Sequence, residues 1–258
     1  MMRAFITGAA NGIGRATAER LVGNGHDVIA YDRDGDGLAD LPAAVDTYQG
    51  DVRDADRVAE VVDRAEFGVL VNDAGYQALG AVEDMTVDGA RDHLETNVLG
   101  MWRVTREALP MLREREGRIV NISSLAGMIA APFWGAYSAS KHAVEGFSDA
   151  LRREVAPFGV DVVIVQPGPV RTGFNEDGQE HLRTYLPDSR YADRYRRILD
   201  SSLGGTTPEN AARTVATAAT TSRPRSRYRI TWQAWIAPKL AVLLPTKLMD
   251  MIIRRSVE

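Results

Sequence analysis

In the run Tyr137-Ser138-Ala139-Ser140-Lys141 a phenol and an ammonium stand four residues apart. On a helix that spacing places both side chains on one face, one turn apart. A free phenol has a pKa of about 10 and is a poor proton acceptor at neutral pH. A nearby positive charge favours the phenolate. A tyrosine tuned in this way can take a proton from an alcohol or return one to a developing alkoxide. Tyr-x-x-x-Lys also arises by chance on exposed helices. The chemistry therefore needs two further parts: a cofactor site and a partner for the substrate oxygen.

The elements that would position such a group can be followed along the chain. Residues 3–7 (RAFIT) form a short apolar strand running into Gly8-Ala9-Ala10-Asn11-Gly12-Ile13-Gly14 and then a helix closed by Gly23 and Gly25. Strand, glycine turn and helix open a dinucleotide-binding unit: the glycines let backbone approach a pyrophosphate, and the helix N-terminus attracts its charge. The spacing is Gly-x-x-x-Gly-x-Gly, not the commoner Gly-x-Gly-x-x-Gly. A second strand, residues 27–31, ends at Asp32, placed to accept hydrogen bonds from ribose hydroxyls and to repel a 2′-phosphate. Asp32 argues for NAD. Arg33 argues the other way, because a guanidinium pairs with that phosphate, so NADP stays open. Further strands are expected at 45–49, 68–71, 117–123, 160–165 and 227–231. Helices are expected at 54–65, 86–113 with a kink at Pro110, 135–155, and from Thr207-Pro208 onward.

Alternating strands and helices with apolar strands imply an α/β fold: a doubly wound parallel sheet, Rossmann-like, in three layers and a single domain over residues 1–258. Ligands of such sheets bind at the strand C-terminal ends. The glycine turn, Asp32, Asn72 to Gly75, Ser123-Ser124 and Pro167-Gly168 all follow strands, so they share that edge. The net charge of −4 recruits neither nucleic acid nor acidic lipid strongly. Without cysteine there is no disulfide framework and no thiolate metal site, which fits a reducing cytoplasm. The four histidines show no metal spacing, and no apolar run is long enough to span a membrane.

Taken together, Thr7-Gly8-x-x-x-Gly12-Ile13-Gly14, Asn72-Asp73-Ala74-Gly75, Asn97, Ser124, Tyr137-x-x-x-Lys141 and Pro167-Gly168-Pro169-Val170-Arg171-Thr172 resemble the short-chain dehydrogenase/reductase family in order and spacing, including thirteen residues from Ser124 to Tyr137. The likeness covers residues 3–172. Asp73 departs from it, since the family usually has a second Asn there. The resemblance implies a nicotinamide cofactor and a catalytic group in which Tyr137 is the general acid/base. Lys141 would hold the nicotinamide ribose and help lower the tyrosine pKa, and Ser124 would position the substrate oxygen. Asn97 would bend the long helix and hold a water linking Lys141 to solvent. It further implies that Asp51 and Val52 flank the adenine, that Asn72, Ala74 and Gly75 line the ribose region, and that residues 167–172 hold the carboxamide. Asn11, neutral where many NADP-using members are basic, sides with Asp32. A homodimer or homotetramer through residues 86–113 and 135–155 is also implied.

Residues 173–205, which lack strong periodicity, correspond to the family's substrate lid. Residues 232–258 form a C-terminal extension, apolar up to Leu244, interrupted by Pro245 and amphipathic after it. This tail is similar to the branch acting on steroid-like and other lipophilic alcohols. Leu79, Met128, Ile129, Phe133, Trp134 and Phe174 would supply an apolar pocket near Tyr137. The tail could equally cap the core, join subunits, or rest on a membrane surface. Three functions are set side by side: an NAD-dependent dehydrogenase of a lipophilic secondary alcohol, an NADPH-dependent reductase of 3-oxoacyl or small carbonyl compounds, and a dinucleotide-binding protein without turnover.

Overall fold

The computed structural model of the protein describes residues 1–172, 174–200 and 204–255, with the side chains of residues 174–177 left out. Runs of Val, Ile, Leu and Ala give seven parallel strands in the order β3-β2-β1-β4-β5-β6-β7. In chain order the elements begin β1 (Arg3–Thr7), α1 (Gly12–Gly23), β2 (Asp27–Asp32), α2 (Gly35–Ala39), β3 (Val45–Gln49), α3 (Ala55–Arg64) and β4 (Val69–Asn72). Next come α4 (Val87–Leu94), a π-helical turn (Glu95–Gly100), α5 (Met101–Glu114), β5 (Arg118–Ile122), α6 (Gly135–Val155) and β6 (Asp161–Gln166). The chain continues through α7 (Phe174–Tyr185), α8 (Ala192–Asp200), α9 (Pro208–Thr220), β7 (Arg227–Arg229), α10 (Trp232–Leu243) and α11 (Thr246–Arg255).

Side chains alternate across the sheet, as the period of two requires. Ala4, Ile6, Val28, Ala30, Val71 and Val120 face one layer with Leu21 of α1 and Val215 of α9. Phe5, Ile29, Leu70 and Ile119 face the other, with Val58 and Val62 of α3, Leu112 of α5 and Leu151 of α6. Both faces are covered, which is why the strands read as apolar runs. Helix starts follow their caps: Asp54 accepts from the Arg57 N–H at 3.0 Å, and Thr86 accepts from the Gly89 N–H at 3.0 Å.

Three expectations change in detail. The helix expected over 86–113 is interrupted by the π turn that carries Asn97. The last strand stops at Arg229, because Thr231 is taken up as the N-cap of α10 and accepts from Ala234. Residues 173–205 contain two helices, whose Leu182, Tyr195 and Ile198 are buried with Leu79 and Phe133 in a third apolar cluster. The weak periodicity hid them, since most of their remaining residues are polar.

Candidate active site

The site begins where β1 turns into α1. Gly8 and Gly12 have φ of +72° and +57°, conformations that disfavour a side chain. A Cβ on Gly14 would lie 2.1 Å from the Gly8 carbonyl oxygen, so the first turn of α1 packs directly on the glycine loop. The end of β2 holds this loop from the other side. Asp32 accepts the Ala10 N–H through Oδ2 and the Asp34 N–H through Oδ1, both at 3.0 Å.

From this loop a cavity of about 850 Å³ runs along the C-terminal edge of the sheet. Gly8, Asn11, Gly12 and Ile13 form its first wall, with Asp32, Arg33, Asp51 and Val52 at the end of β2 and beyond β3. Ala74 and Gly75 follow β4; Pro167, Gly168, Val170 and Thr172 follow β6. Ser124, Trp134, Tyr137 and Lys141 close the interior. One edge of the sheet thus gathers motifs spread over more than half the chain.

Six expected site residues stand back from the cavity wall. Gly14 lies behind the glycine loop. Asn72 is turned into the sheet, where its Nδ2 donates to Thr105 Oγ1 and Asn121 Oδ1 at 3.0 and 2.9 Å. Asn97 is buried in the π turn: its Oδ1 accepts the Tyr76 N–H, and its Nδ2 donates to the Tyr76 carbonyl at 2.9 Å and to Ser140 Oγ at 3.4 Å. The amide is committed to fixing the Tyr76 backbone, which does line the cavity. Met128 is off the wall, and Phe133 packs edge-on against Tyr191 and Tyr195 in the third cluster, beside Leu79. The side chain of Phe174 lies outside the described residues.

Tyr137 is buried, and its hydroxyl hydrogen-bonds Ser124, which also caps the short turn after β5 by accepting the Ala126 N–H at 3.1 Å. Burial pushes the Tyr137 phenol up to about 12, against the lowering effect of Ser124. The Lys141 Nζ lies 5.9 Å from the centre of the Tyr137 ring and donates to the Ile122 carbonyl at 2.9 Å. Burial pushes Lys141 itself down to about 8, opposed by Asp73 and Glu145.

Sequence reasoning passed over several neighbours. His93 is fully buried, edge-on to Tyr137 at 6.1 Å, and burial pushes it down to about 4, so it is neutral at pH 7. Its offset of four from Asn97 on one helical face was the available signal. Tyr76 and Gln77 also line the cavity, as do Ile236 and Leu240 of α10 and Met249 and Ile252 of α11.

Asp73, the departure from the family pattern, lines the cavity as well. Burial raises its carboxyl from 3.8 to about 7, with Lys141 and the Gly14 N–H acting in the opposite direction. The folded chain therefore keeps a proton that the unfolded chain has released over that interval. The contribution of this group to stability is full below the unfolded value and is lost as pH rises through the folded one. Asp73→Asn retains an acceptor for the Gly14 N–H and removes the titration. The melting temperature of the variant, minus that of the parent, should increase between about pH 4 and about pH 7 and then level off. A difference constant across that range would show that Asp73 does not titrate there.

The cavity fits a dinucleotide on three grounds. It is long enough to join the glycine loop to Tyr137, Gly8 and Gly12 at its loop end leave backbone open to close approach, and the buried Ser123 Oγ has no partner among the described residues. Sheet order and glycine turn define a Rossmann-like protein, with Ser124, Tyr137 and Lys141 gathered in the cavity at the edge of its sheet. The profile described as short chain dehydrogenase matches residues 2–183, and the chain belongs to that family of oxidoreductases. It is 32% identical over 279 residues to human 17-beta-hydroxysteroid dehydrogenase type 6, covering 98% of this chain and 87% of that one. A short chain dehydrogenase from Mycobacterium paratuberculosis, solved bound to NAD, is 31% identical with a TM-score of 0.75, over 89% of this chain and 96% of the other. One from Burkholderia cenocepacia, solved with NADP, shares the fold with a TM-score of 0.81 at 24% identity, over 97% of each chain.

Proposed function

We propose that the protein interconverts a lipophilic secondary alcohol and its ketone with NAD. The observation that carries this reading is the Tyr137 hydroxyl, hydrogen-bonded to Ser124, in a cavity that begins at the glycine loop and ends among apolar side chains of α10 and α11. A nicotinamide bound along the glycine loop would supply or accept the hydride. The chain's own residues would handle the proton and the position. Ser124 would donate to the substrate oxygen, and Tyr137 would give its proton to the developing alkoxide or take one from the alcohol. Lys141 uses one N–H on Ile122, leaving two donors for ribose hydroxyls when it is charged. Asn97, holding Tyr76, is a positioning residue in this scheme.

Ile129, Trp134, Ile236, Leu240 and Ile252 give the substrate end its apolar walls, and the name of the steroid dehydrogenase relative supports a bulky apolar substrate. Residues 173–205 would cover this end. Subunits would pair through α5 and α6, where Trp102 is half exposed and packs at a tilt against Phe147.

For the cofactor, Asp32 faces the cavity with both oxygens held by backbone N–H groups, a fixed negative charge where a 2′-phosphate would sit. Arg33 lies on the same wall and makes no ion pair among the described residues, which favours the NADPH-dependent carbonyl reductase as the second reading. Juxtaposed like charges cost several kcal/mol, so NADH should bind at least about tenfold more tightly than NADPH, and Asp32→Ala should narrow that gap. Fluorescence titration of both cofactors measures it. A panel of lipophilic secondary alcohols with NAD, followed by NADH absorbance, then tests turnover. Tight NADH binding with no oxidation of any alcohol, and no reduction of the matching ketones, would sink the proposed reaction.

A further inference from the structure

Helices α10 and α11 present an apolar surface that the other described residues do not cover. Val242 and Leu243 are 85% and 77% exposed, and Trp232, Trp235, Leu248 and Met251 are exposed beside them. In α10 only Gln233 and Lys239 are polar. A helix that is apolar nearly all round needs a covering partner or solvent of its own kind.

Charge narrows the choice of partner. Residues 223–255 hold eight arginines and lysines and one acidic residue, Asp250, in a chain whose net charge is −4. Two of the three lysines in the whole chain, Lys239 and Lys247, lie in this segment. Beside α10 a separate cleft of about 310 Å³ is lined by Arg213, Arg225, Arg227 and Arg229 together with Tyr228 and Trp235. Arg227 is committed to Glu145 and Asp149, and Arg229 lies over the Trp235 ring at 5.2 Å. Arg213 and Arg225 are exposed and form no ion pair among the described residues, so two guanidiniums without a counter-charge there share a cleft with Trp235 of α10. Guanidinium pairs of this kind match phosphate oxygens.

We propose that the α10–α11 hairpin and the arginine cleft dock the protein on an anionic lipid bilayer. The exposed Trp, Val and Leu side chains enter the boundary between headgroups and acyl chains, and Arg213, Arg225, Lys239 and Lys247 meet lipid phosphates. A second copy of the chain fits the same face poorly, because a two-fold contact would set this basic segment against its own image. Docking also has a consequence for the cavity. Ile236, Leu240 and Ile252, which line it, belong to the same two helices as the docking residues, so the segment proposed to dock also forms one wall of the cavity. Delivery of a lipophilic substrate from the bilayer rests on the function proposed above; docking itself does not.

The test is co-sedimentation of the full chain with phosphatidylcholine vesicles made with and without phosphatidylglycerol. Binding should be at least about tenfold stronger with phosphatidylglycerol, weaken with added salt, and shift tryptophan emission to the blue. Each basic residue near an anionic surface contributes roughly fivefold, so Arg213→Glu with Arg225→Glu should lower binding by about twenty-five-fold or more. Val242→Asp with Leu243→Asp should abolish pelleting. Neither pair touches the cavity, so NADH binding should stay at the parent level in both, which also reports folding and separates this test from that of the cofactor. If the aspartate pair misfolds, the exposed arginine pair carries the test. Equal binding to neutral vesicles, no pelleting with either kind, or self-association of the soluble protein that the aspartate pair abolishes would overturn the proposal.

Discussion

Replacing Tyr137 by Phe should lower turnover by about a hundredfold or more while leaving NADH affinity within about twofold. The ring is already packed, edge-on to His93 and Trp134, and Phe keeps those contacts. What the substitution removes is one oxygen, the one hydrogen-bonded to Ser124 in the cavity. With the phenol pushed up to about 12 by burial, Tyr137 stands protonated at neutral pH and is ready as an acid for ketone reduction. For alcohol oxidation it must first lose that proton, which asks for positive charge nearby. Lys141 is the chain's own cation closest to this task, and burial already moves it down to about 8. The oxidation rate should therefore reflect a lysine that loses its charge as pH rises through that value, a readout that Tyr137→Phe eliminates. Undiminished turnover in the Phe variant would remove Tyr137 from the mechanism.

Gly14→Val should cost about 3 kcal/mol or more in stability and abolish cofactor binding in whatever folds. The added Cβ would meet the Gly8 carbonyl oxygen at 2.1 Å and the Asp73 carboxylate at 2.9 Å. The first of these is backbone, held by the Gly8 N–H bond to the Tyr31 carbonyl across β2, so it cannot step aside as a flexible side chain could. Gly23→Ala at the other end of the same helix is the control. Nothing lies within 4 Å of its added methyl, and the change should raise stability by about 0.5 kcal/mol through the unfolded chain. Urea titration of the two variants measures both effects. Equal stabilities would mean that the α1 start is not packed on the loop as described.

The parallel sheet and its site edge were legible because the central strands β1, β4, β5 and β6 are mostly apolar and most of the chemical motifs follow a strand. Thr7, Asp32, Asn72 and Gln166 close their strands, and their order along the chain already placed the cavity. What periodicity could not supply was direction. Asn72 and Ala74 sit two residues apart, yet the Asn72 amide points into the sheet toward Thr105 and Asn121 while Ala74 lines the cavity. Phe133 and Trp134 are adjacent, but Phe133, at φ of +70°, turns into the cluster with Tyr195, and Trp134 alone joins the wall. The pocket assembled from aromatics near Tyr137 was therefore partly a core. Its missing side came from α10 and α11, and the nearly all-round apolar pattern of α10 fits core, subunit contact and pocket equally well and so could not decide among them.

The position of β1 in the sheet has a consequence for how the chain comes together. β1 pairs with β2 through Ala4 opposite Val28, and on its other side with β4 through Ala4 opposite Val69. The first partner follows after about two dozen residues and the second after about sixty-five, and parallel pairing gives no shorter route. During synthesis, β1 can join β2 and β3 early, but its remaining edge stays bare until β4 leaves the ribosome. That edge is apolar and central in the native sheet, so a chain arrested between the two events presents a strand template for other chains. Refolding yield should thus fall with protein concentration most steeply for variants that weaken β4, because β4 is the strand that retires the exposed edge.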